Sequence, residues 1–352
     1  MIADDSPTLH RKSAPLALAY AAAPLGAAAL IWWGAEAGGL WAWSGLFYMT
    51  VLAFWADENL DRSLRKVAHP GLADAMLLAV AVAHFAVLYV TVSAVTSDNP
   101  LTFGERGALF FAGGLWLGQV GNAVGHELIH RRAKPSFVLG GMIYSSLLFP
   151  QHILAHRHIH HVHVATPDDP SSAPLGMGFY QAAWRAWFGN LRAALNLVIK
   201  RRAGLGLIFC LGFIGLFQWM ALRVEGSAVY LALAAYAQVQ IMLSDYVQHY
   251  GLRRRQLPNG RYERVGPQHA WNAPHRFTGW LLVEAGQHSA HHTRPILPFC
   301  ALTTEADSPQ LPRSLQTMAA LALVPPLWFR IMDKRAARWA VEPAYDSARQ
   351  AA

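Results

Sequence analysis

The sequence predicts an all-α integral membrane protein with six transmembrane helices. Three observations support this prediction: an apolar composition, six long apolar stretches, and basic residues confined to alternate loops. Hydrophobic residues make up 54% of the 352 residues and charged residues only 14%, whereas a soluble domain carries roughly 25% charged residues. Because no Pro-, Gly- or Ser-rich linker divides the apolar stretches, we expect a single integral membrane domain over 1–352.

The six apolar stretches are long enough to cross a bilayer as helices. A helix of about 20 residues reaches roughly 30 Å, the thickness of the hydrocarbon core. The first stretch follows Arg11 and Lys12 and resembles a signal peptide, but we expect it to be retained because five further spans follow. The expected spans are approximately 14–33, 39–56, 72–96, 107–125, 204–222 and 227–247.

The charges of the loops orient these spans. Basic clusters at 62–66, 131–134, 200–202 and 253–255 all fall on one side of the membrane, and the short connections on the other side are mainly acidic. Since basic loops stay in the cytoplasm, we expect this side and both termini to be cytoplasmic, in a bacterial inner membrane. Contact with the lipid bilayer also explains the net charge of +8, so no nucleic-acid partner is expected.

Two shorter apolar segments are not counted as spans. A crossing at 136–154 would place the next basic, histidine-rich segment on the opposite side, so we expect a re-entrant or interfacial helix there. The segment 317–329 contains Pro325 and Pro326, which would break a spanning helix. We expect this segment to be interfacial as well.

Nine of the 17 histidines fall into four groups near the cytoplasmic membrane boundary. The first group, in GHELIH, has two histidines four residues apart, which places them on one helix face. In the second group, AHRHIHHVHVATPDDP, the same spacing aligns His156 with His160 and turns His161 by one residue. The third group is one histidine in DYVQHYG, and the fourth lies in GQHSAHH. The candidate metal ligands are His126, His130, His156, His160, His161, His249, His288, His291 and His292.

So many imidazoles near the hydrocarbon edge need partners, because an unsatisfied polar group there is costly. Nine nitrogens exceed the three or four protein ligands of one zinc ion. We therefore expect two metal ions, held by the cytoplasmic segments 126–202 and 248–316. Imidazole suits zinc, copper, iron and nickel, so the residue types leave the element open. The only cysteines, Cys210 and Cys300, form no CxxC site or Cys-ligated iron centre, so any electron carrier is a separate protein.

In order and spacing, the four histidine strings resemble those of the membrane di-iron monooxygenases typified by alkane 1-monooxygenase and xylene monooxygenase. The resemblance extends from the spans to about residue 295. It implies a cytoplasmic site in which the nine histidines bind two non-haem iron ions. It also implies O₂-dependent hydroxylation of an unactivated C–H bond in an apolar substrate, such as the terminal methyl group of an alkane. The implied electron source is a rubredoxin- or ferredoxin-type carrier with its reductase.

The chain departs from this family pattern at Ala155, Gln248 and Ala290, where the hydrocarbon hydroxylases usually have carboxylates. Such carboxylates orient the imidazoles, and losing one changes metal affinity or activity about 10- to 100-fold. The candidates for orienting the imidazoles in this chain are Glu127, Asp245, Gln248 and Glu284.

The resemblance also implies an apolar tunnel for the substrate between the spans. Phe54 and Trp55 are the candidate lining residues, although aromatic residues at these positions also fit helix packing or a membrane-interface belt.

Three other functions remain open on the sequence. A fatty-acyl desaturase or a carotenoid-type oxygenase also uses histidine-bound iron, but common desaturases have HxxHH where this chain has three residues between His156 and His160. A membrane zinc protease would explain His126, Glu127 and His130 but leave the other histidines idle. A metal transporter would place its ligands at mid-bilayer, whereas here they gather at one face.

Overall fold

The computed structural model describes residues 7–60, 70–96, 98–201, 212, 215–216, 223–305 and 307–339. Within these ranges the chain is helical and has no β-strand, only two isolated bridges that pair Gln256 with Tyr262 and Asn272 with Gln310. The predicted all-α fold is therefore confirmed for the described part of the chain.

The described helices differ widely in length, from six residues to more than thirty. They are α1 Pro7–Ala37, α2 Gly39–Asn59, α3 Pro70–Thr96, α4 103–130, α5 Lys134–Ser146, α6 151–163, α7 Phe179–Arg201, α8 Arg223–His249, α9 Arg276–Leu281, α10 His288–Thr293, α11 Leu315–Ala322 and α12 Pro325–Ala337. Single 3₁₀ turns lie before α9, at Pro267–His269, and after α10, at Phe299–Ala301.

Three of these helices contain a π-helical turn. The turn is Tyr48–Leu52 in α2, Trp116–Gly121 in α4 and His156–His160 in α6. A π-turn closes hydrogen bonds between residues five apart instead of four, so it changes which side chains share a helix face. Such turns occur frequently at functional sites.

Among the residues that the structure describes, four helices are long and apolar enough to cross a membrane, which fits an integral membrane protein. They are Leu18–Ala37, Gly39–Asn59, Gly71–Thr96 and Gly226–His249, and they overlap four of the expected spans. The expected span 107–125 lies within α4, which is not among the four. The expected span 204–222 falls almost entirely outside the described residues.

The helix α4 packs closely against α1 and α8. A Cβ atom at Gly118 would lie 2.9 Å from the Ala237 backbone of α8, so only glycine allows this approach. Trp116 is fully buried and donates its indole N–H to the Pro24 carbonyl of α1 at 2.9 Å. These contacts fix the position of α4, which ends at His130.

The segment that follows α8 folds back against the helix ends. The buried Asp57 side chain of α2 accepts one hydrogen bond from the Thr278 backbone N–H, at 2.9 Å, and another from the Thr278 hydroxyl. Trp271 donates its indole N–H to the Tyr250 carbonyl at 2.8 Å. This arrangement holds the loop that leads into α10.

The two short apolar segments form short helices. At about 1.5 Å per residue, α5 is roughly 20 Å long, less than the hydrocarbon core. The helix α11 ends at Ala322 and α12 begins at Pro325, so the prolines interrupt the helix as their sequence predicts.

Candidate metal centre

The nine histidines converge from α4, α6, α8 and α10 and form two groups of ring nitrogens. The first group is His126, His130, His156, His161 and His291, and the second is His160, His249, His288 and His292. Within each group all the nitrogens lie within 4.8 Å of one another. Each group therefore joins residues more than 120 positions apart in the sequence.

The Nε2 atoms of the first group are closely spaced. His126 Nε2 lies 2.7 Å from His291 Nε2, and His161 Nε2 lies 2.9 Å from His156 Nε2 and 3.1 Å from His291 Nε2. When two imidazole nitrogens bind the same ion at roughly 2.0–2.1 Å and the angle between the two bonds is 90°, the nitrogens lie about 2.9 Å apart. The spacing fits imidazoles that share an ion.

The second group is wholly buried and lies next to the first. His288 Nε2 is 2.9 Å from His249 Nε2 and 3.1 Å from His292 Nε2. The ring centroids of His161 and His292, one from each group, are 4.6 Å apart. The donor set thus fits two neighbouring ions, each bound by imidazole.

The π-turn in α6 affects how its histidines divide between the two groups. The spacing of four places His156 and His160 on one face of an α-helix, but the structure puts His156 with His161 in the first group and His160 in the second. The helix-face argument did not assign these histidines to particular groups, and the π-turn, whose hydrogen bonds join residues five apart, brings His156 together with His161. By contrast, His126 and His130 lie on an α-helical segment and share a group.

Burial favours the neutral form of most of these imidazoles. It lowers the pKa of His156, His288 and His291 well below the ordinary value, because a charged ring would lose its hydration, and neighbouring histidines lower it further. Neutral imidazole is the form that binds a metal. At His160, burial also lowers the pKa, but the adjacent Asp169 carboxylate more than offsets this, and the pKa is raised.

Asp169 fixes the orientation of His160. Its Oδ2 atom lies 2.8 Å from His160 Nδ1, and its carboxylate also accepts hydrogen bonds from the Ser171 backbone N–H, at 3.0 Å, and the Ser172 hydroxyl, at 2.6 Å. His160 Nε2 is left facing the second group, buried and without a hydrogen-bond partner among the residues that the structure describes. A metal ion would satisfy this nitrogen, in the carboxylate–histidine–metal arrangement common in proteins.

Asp169 was not among the predicted site residues, although it lies in the ATPDDP string directly after the second histidine group. The acidic pair that follows the histidine run is the signal that indicates it. A carboxylate only nine residues after a ligand can contact that ligand when the chain between them turns back. Here Asp169 contacts His160, and the Ser172 hydroxyl donates a hydrogen bond to the same Asp169 oxygen.

Two of the predicted orienting residues, Glu127 and Asp245, lie beside the first group. Both line the cavity next to His126. The Glu127 carboxylate accepts a hydrogen bond from the Phe299 backbone N–H at 3.1 Å and forms an ion pair with Arg131 at 2.9 Å. Glu127 therefore ties α4 to the segment after α10.

The other two, Gln248 and Glu284, connect α8 to the loop before α10. Gln248 donates from Nε2 to the Ala285 carbonyl at 2.8 Å. The Glu284 carboxylate accepts hydrogen bonds from Gln287, at 2.7 Å, and from the Tyr20 hydroxyl of α1. Both side chains position the backbone that leads into His288.

Three cavities of the described structure share lining residues, and the first of them borders the histidines. The metal-side cavity is lined by His126, His288 and His291. The middle cavity shares Asn122 and Ser244 with it. The outer cavity shares Gln119, Gln240, Gln316 and Ala319 with the middle one.

Of the two aromatic residues predicted to line a tunnel, the structure places one at a cavity. Phe54 lines the outer cavity. Trp55 is 60% exposed on the surface of α2 and lines none of the cavities described above.

Comparison with known proteins relates the chain to enzymes with similar histidine motifs. It is 35% identical to alkane 1-monooxygenase 1 of Pseudomonas aeruginosa over 63% of this chain and 61% of that protein. It is 27% identical to an alkane 1-monooxygenase of Pseudomonas putida over 88% of this chain and 82% of that protein. It is 29% identical to the xylene/toluene monooxygenase hydroxylase component of Pseudomonas putida over 60% of this chain and 59% of that protein.

The chain spans only about three fifths of the length of the Pseudomonas aeruginosa relatives, at 61% and 64%. A family model described as fatty acid desaturase matches residues 106–322, more than half of the chain and all nine histidines of the two groups. The chain belongs to the fatty acid desaturase family, and the resemblance to its alkane and xylene monooxygenases that the histidine strings predicted is confirmed.

Proposed function

We propose that this chain is a membrane-bound hydroxylase that uses two non-haem iron ions and O₂ to oxidise an unactivated C–H bond of an apolar substrate. The observation that carries the proposal is the meeting of nine imidazoles in two adjacent groups, of five and four. The names of its relatives, alkane 1-monooxygenase and xylene/toluene monooxygenase, support hydrocarbons as the substrate class.

The nine histidines would hold the ions, and the iron, when bound, supplies the activation of O₂. The overall reaction is R–H + O₂ + 2 e⁻ + 2 H⁺ → R–OH + H₂O. The protein residues orient the ligands and shape the path of the substrate. Asp169 holds His160 in the required tautomer, and the apolar helices around the cavities exclude water from the reaction.

The electrons come from a separate carrier in this proposal. The sequence has only Cys210 and Cys300, so it contains no Cys-ligated iron centre of its own. We assign the role to a rubredoxin- or ferredoxin-type protein with its reductase.

The distribution of charged loops supports a bacterial inner-membrane location, with the metal centre and both termini in the cytoplasm. In this arrangement α5 is a re-entrant or interfacial helix, since it is too short to span the hydrocarbon core. The substrate enters from the lipid through the outer cavity, past Phe54.

Metal analysis and turnover of the purified protein test this proposal together. We expect two iron ions per chain, and ¹⁸O from ¹⁸O₂ in the alcohol formed from an alkane or a methyl-arene with a reconstituted carrier and reductase. Zinc, or one ion per chain, would contradict the proposal. Iron with an unsaturated product would identify a desaturase instead.

A further inference from the structure

Three glutamines from different helices line the passage between the middle and outer cavities. Gln119 lies in the π-turn of α4, Gln240 on α8 and Gln316 on α11, and all three border both cavities. Any molecule that moves from the outer cavity to the histidines passes them.

The three side chains form a hydrogen-bonded chain. Gln316 donates from Nε2 to Gln119 Oε1 at 2.6 Å, and Gln119 donates from Nε2 to Gln240 Oε1 at 3.1 Å. The chain ends at Gln316 Oε1, which is buried and has no hydrogen-bond partner within the described ranges. A buried acceptor without a donor is costly, so an N–H or O–H group that meets this oxygen, once the Gln316 amide turns toward the cavities that it lines, would be stabilised.

The glutamines are polar groups in a passage that is otherwise mainly apolar on both sides of them. The outer cavity beyond them is lined mainly by apolar groups, including Met49, Phe54 and Leu243. The middle cavity on the inner side is also lined mainly by apolar groups, although it includes Asn122 and Ser244. A path built only for hydrocarbon has no need of a polar chain across it, since moving apolar groups past amides gains nothing.

We propose that the glutamine chain binds a hydroxyl group on an otherwise apolar substrate and so selects hydroxylated hydrocarbons over plain hydrocarbons. The substrate hydroxyl donates to Gln316 Oε1 and takes the place of the missing donor. This inference rests on the proposed hydroxylase function and specifies its substrate class.

The position of the glutamine chain also determines which C–H bond of the substrate is oxidised. Gln119 precedes His126 by seven residues on α4, which is about 10 Å along a helix. A substrate anchored by its hydroxyl at the glutamines therefore presents a remote C–H bond to the metal centre. The expected product from a medium-chain primary alcohol is a diol whose two hydroxyls are far apart.

Competition between three compounds of equal chain length tests this selectivity: a primary alcohol, its methyl ether and an alkane. We expect kcat/KM for the alcohol to exceed that for the alkane about tenfold, the effect of one neutral hydrogen bond. The ether accepts but does not donate, so it should gain nothing over the alkane. Equal kcat/KM values for the three, or oxidation next to the existing hydroxyl, would contradict the inference.

Substitution of Gln316 tests the residue itself. Gln316→Leu should abolish the preference, so that kcat/KM for the alcohol no longer exceeds kcat/KM for the alkane measured with the same variant. Gln316→Met, which keeps the unbranched shape, should do the same if the leucine variant does not fold. Gln181→Leu, on the exposed face of α7, is the matched control and should keep the preference. An alcohol preference that persists in both Gln316 variants would overturn the role of this residue.

Ligand binding without turnover separates this inference from the hydroxylase proposal. The readout is the shift in Tm of the purified full-length protein on adding each compound. A larger shift with the alcohol that Gln316→Leu removes supports the glutamine chain even if nothing is hydroxylated, in which case the hydroxylase proposal is the one that fails. Equal shifts in a preparation that hydroxylates alkanes overturn the glutamine inference alone.

Discussion

The carboxylate of Asp169 lies 2.8 Å from His160 Nδ1, and this contact decides which nitrogen of His160 faces the second histidine group. Asp169 is fully buried and also bound by Ser172, so it cannot turn away from the ring. Since the imidazole is held by its Nδ1 atom, its Nε2 atom is presented to the metal site without a conformational cost on binding.

Asp169→Asn should therefore lower the metal affinity of the second group, with a loss of about 10- to 100-fold in affinity or activity. Metal content per chain, measured at a series of free iron concentrations, checks this. The matched control is Asp168→Asn, because the neighbouring Asp168 side chain is exposed. Equal metal retention in the two variants would contradict the role of Asp169.

His249→Ala should remove one ion and leave the other. His249 belongs to the buried group of four, whereas the group of five lies complete without it. We expect metal analysis to give about half the wild-type content, since a group of three imidazoles binds less tightly. His158→Ala is the control, as His158 lies in the same histidine run as His156 but outside both groups. Full metal content in His249→Ala would refute the nine-ligand assignment.

Gly118→Ala should destabilise the helix bundle. Its Cβ atom would lie 2.6 Å from the Gln240 side chain and 2.9 Å from the Ala237 backbone, so α4 and α8 would have to separate, at a cost of about 1–3 kcal/mol. The control is Gly107→Ala on the same helix, where nothing lies within 4 Å. That substitution should stabilise the protein by about 0.5–1 kcal/mol. Thermal unfolding in detergent micelles compares the two, and a Tm for Gly118→Ala at or above that of Gly107→Ala would count against this packing.

Phe54→Ala should shift the preferred substrate toward longer or bulkier molecules. Phe54 lines the outer cavity, so removing its ring widens the proposed entrance. Trp55→Ala provides the comparison, because Trp55 is next in sequence but lines none of the three cavities. The measurement is product formation across a series of chain lengths, and identical profiles for Phe54→Ala and wild type would argue against entry at this point.

The sequence predicted the members of the metal site better than their arrangement. Spacing correctly paired His126 with His130 because that part of α4 is α-helical. Spacing could not assign His156, His160 and His161 to their groups, because nothing in the residue types marks the π-turn at His156–His160. Sequence periodicity predicts a regular α-helix, and it does not show where the folded protein contains a π-turn instead.

The glutamine chain was not predictable for a different reason. The hydrogen bond between Gln119 and Gln240 joins residues 121 positions apart, and the one between Gln119 and Gln316 joins residues 197 positions apart. No sequence periodicity links residues on α4, α8 and α11. Isolated polar residues in apolar helices can be read as functional, but which of them meet depends on the packing of three helices.

The order in which the two histidine groups become complete during synthesis follows from their composition. The first group draws four of its five members from the chain before residue 162, whereas the second has only His160 until α8 and α10 have been made. A nascent chain therefore acquires most of the first histidine group well before the second exists. Ribosome-bound chains that end before α8 should capture a single ion, and maturation of the pair must wait for the last third of the protein.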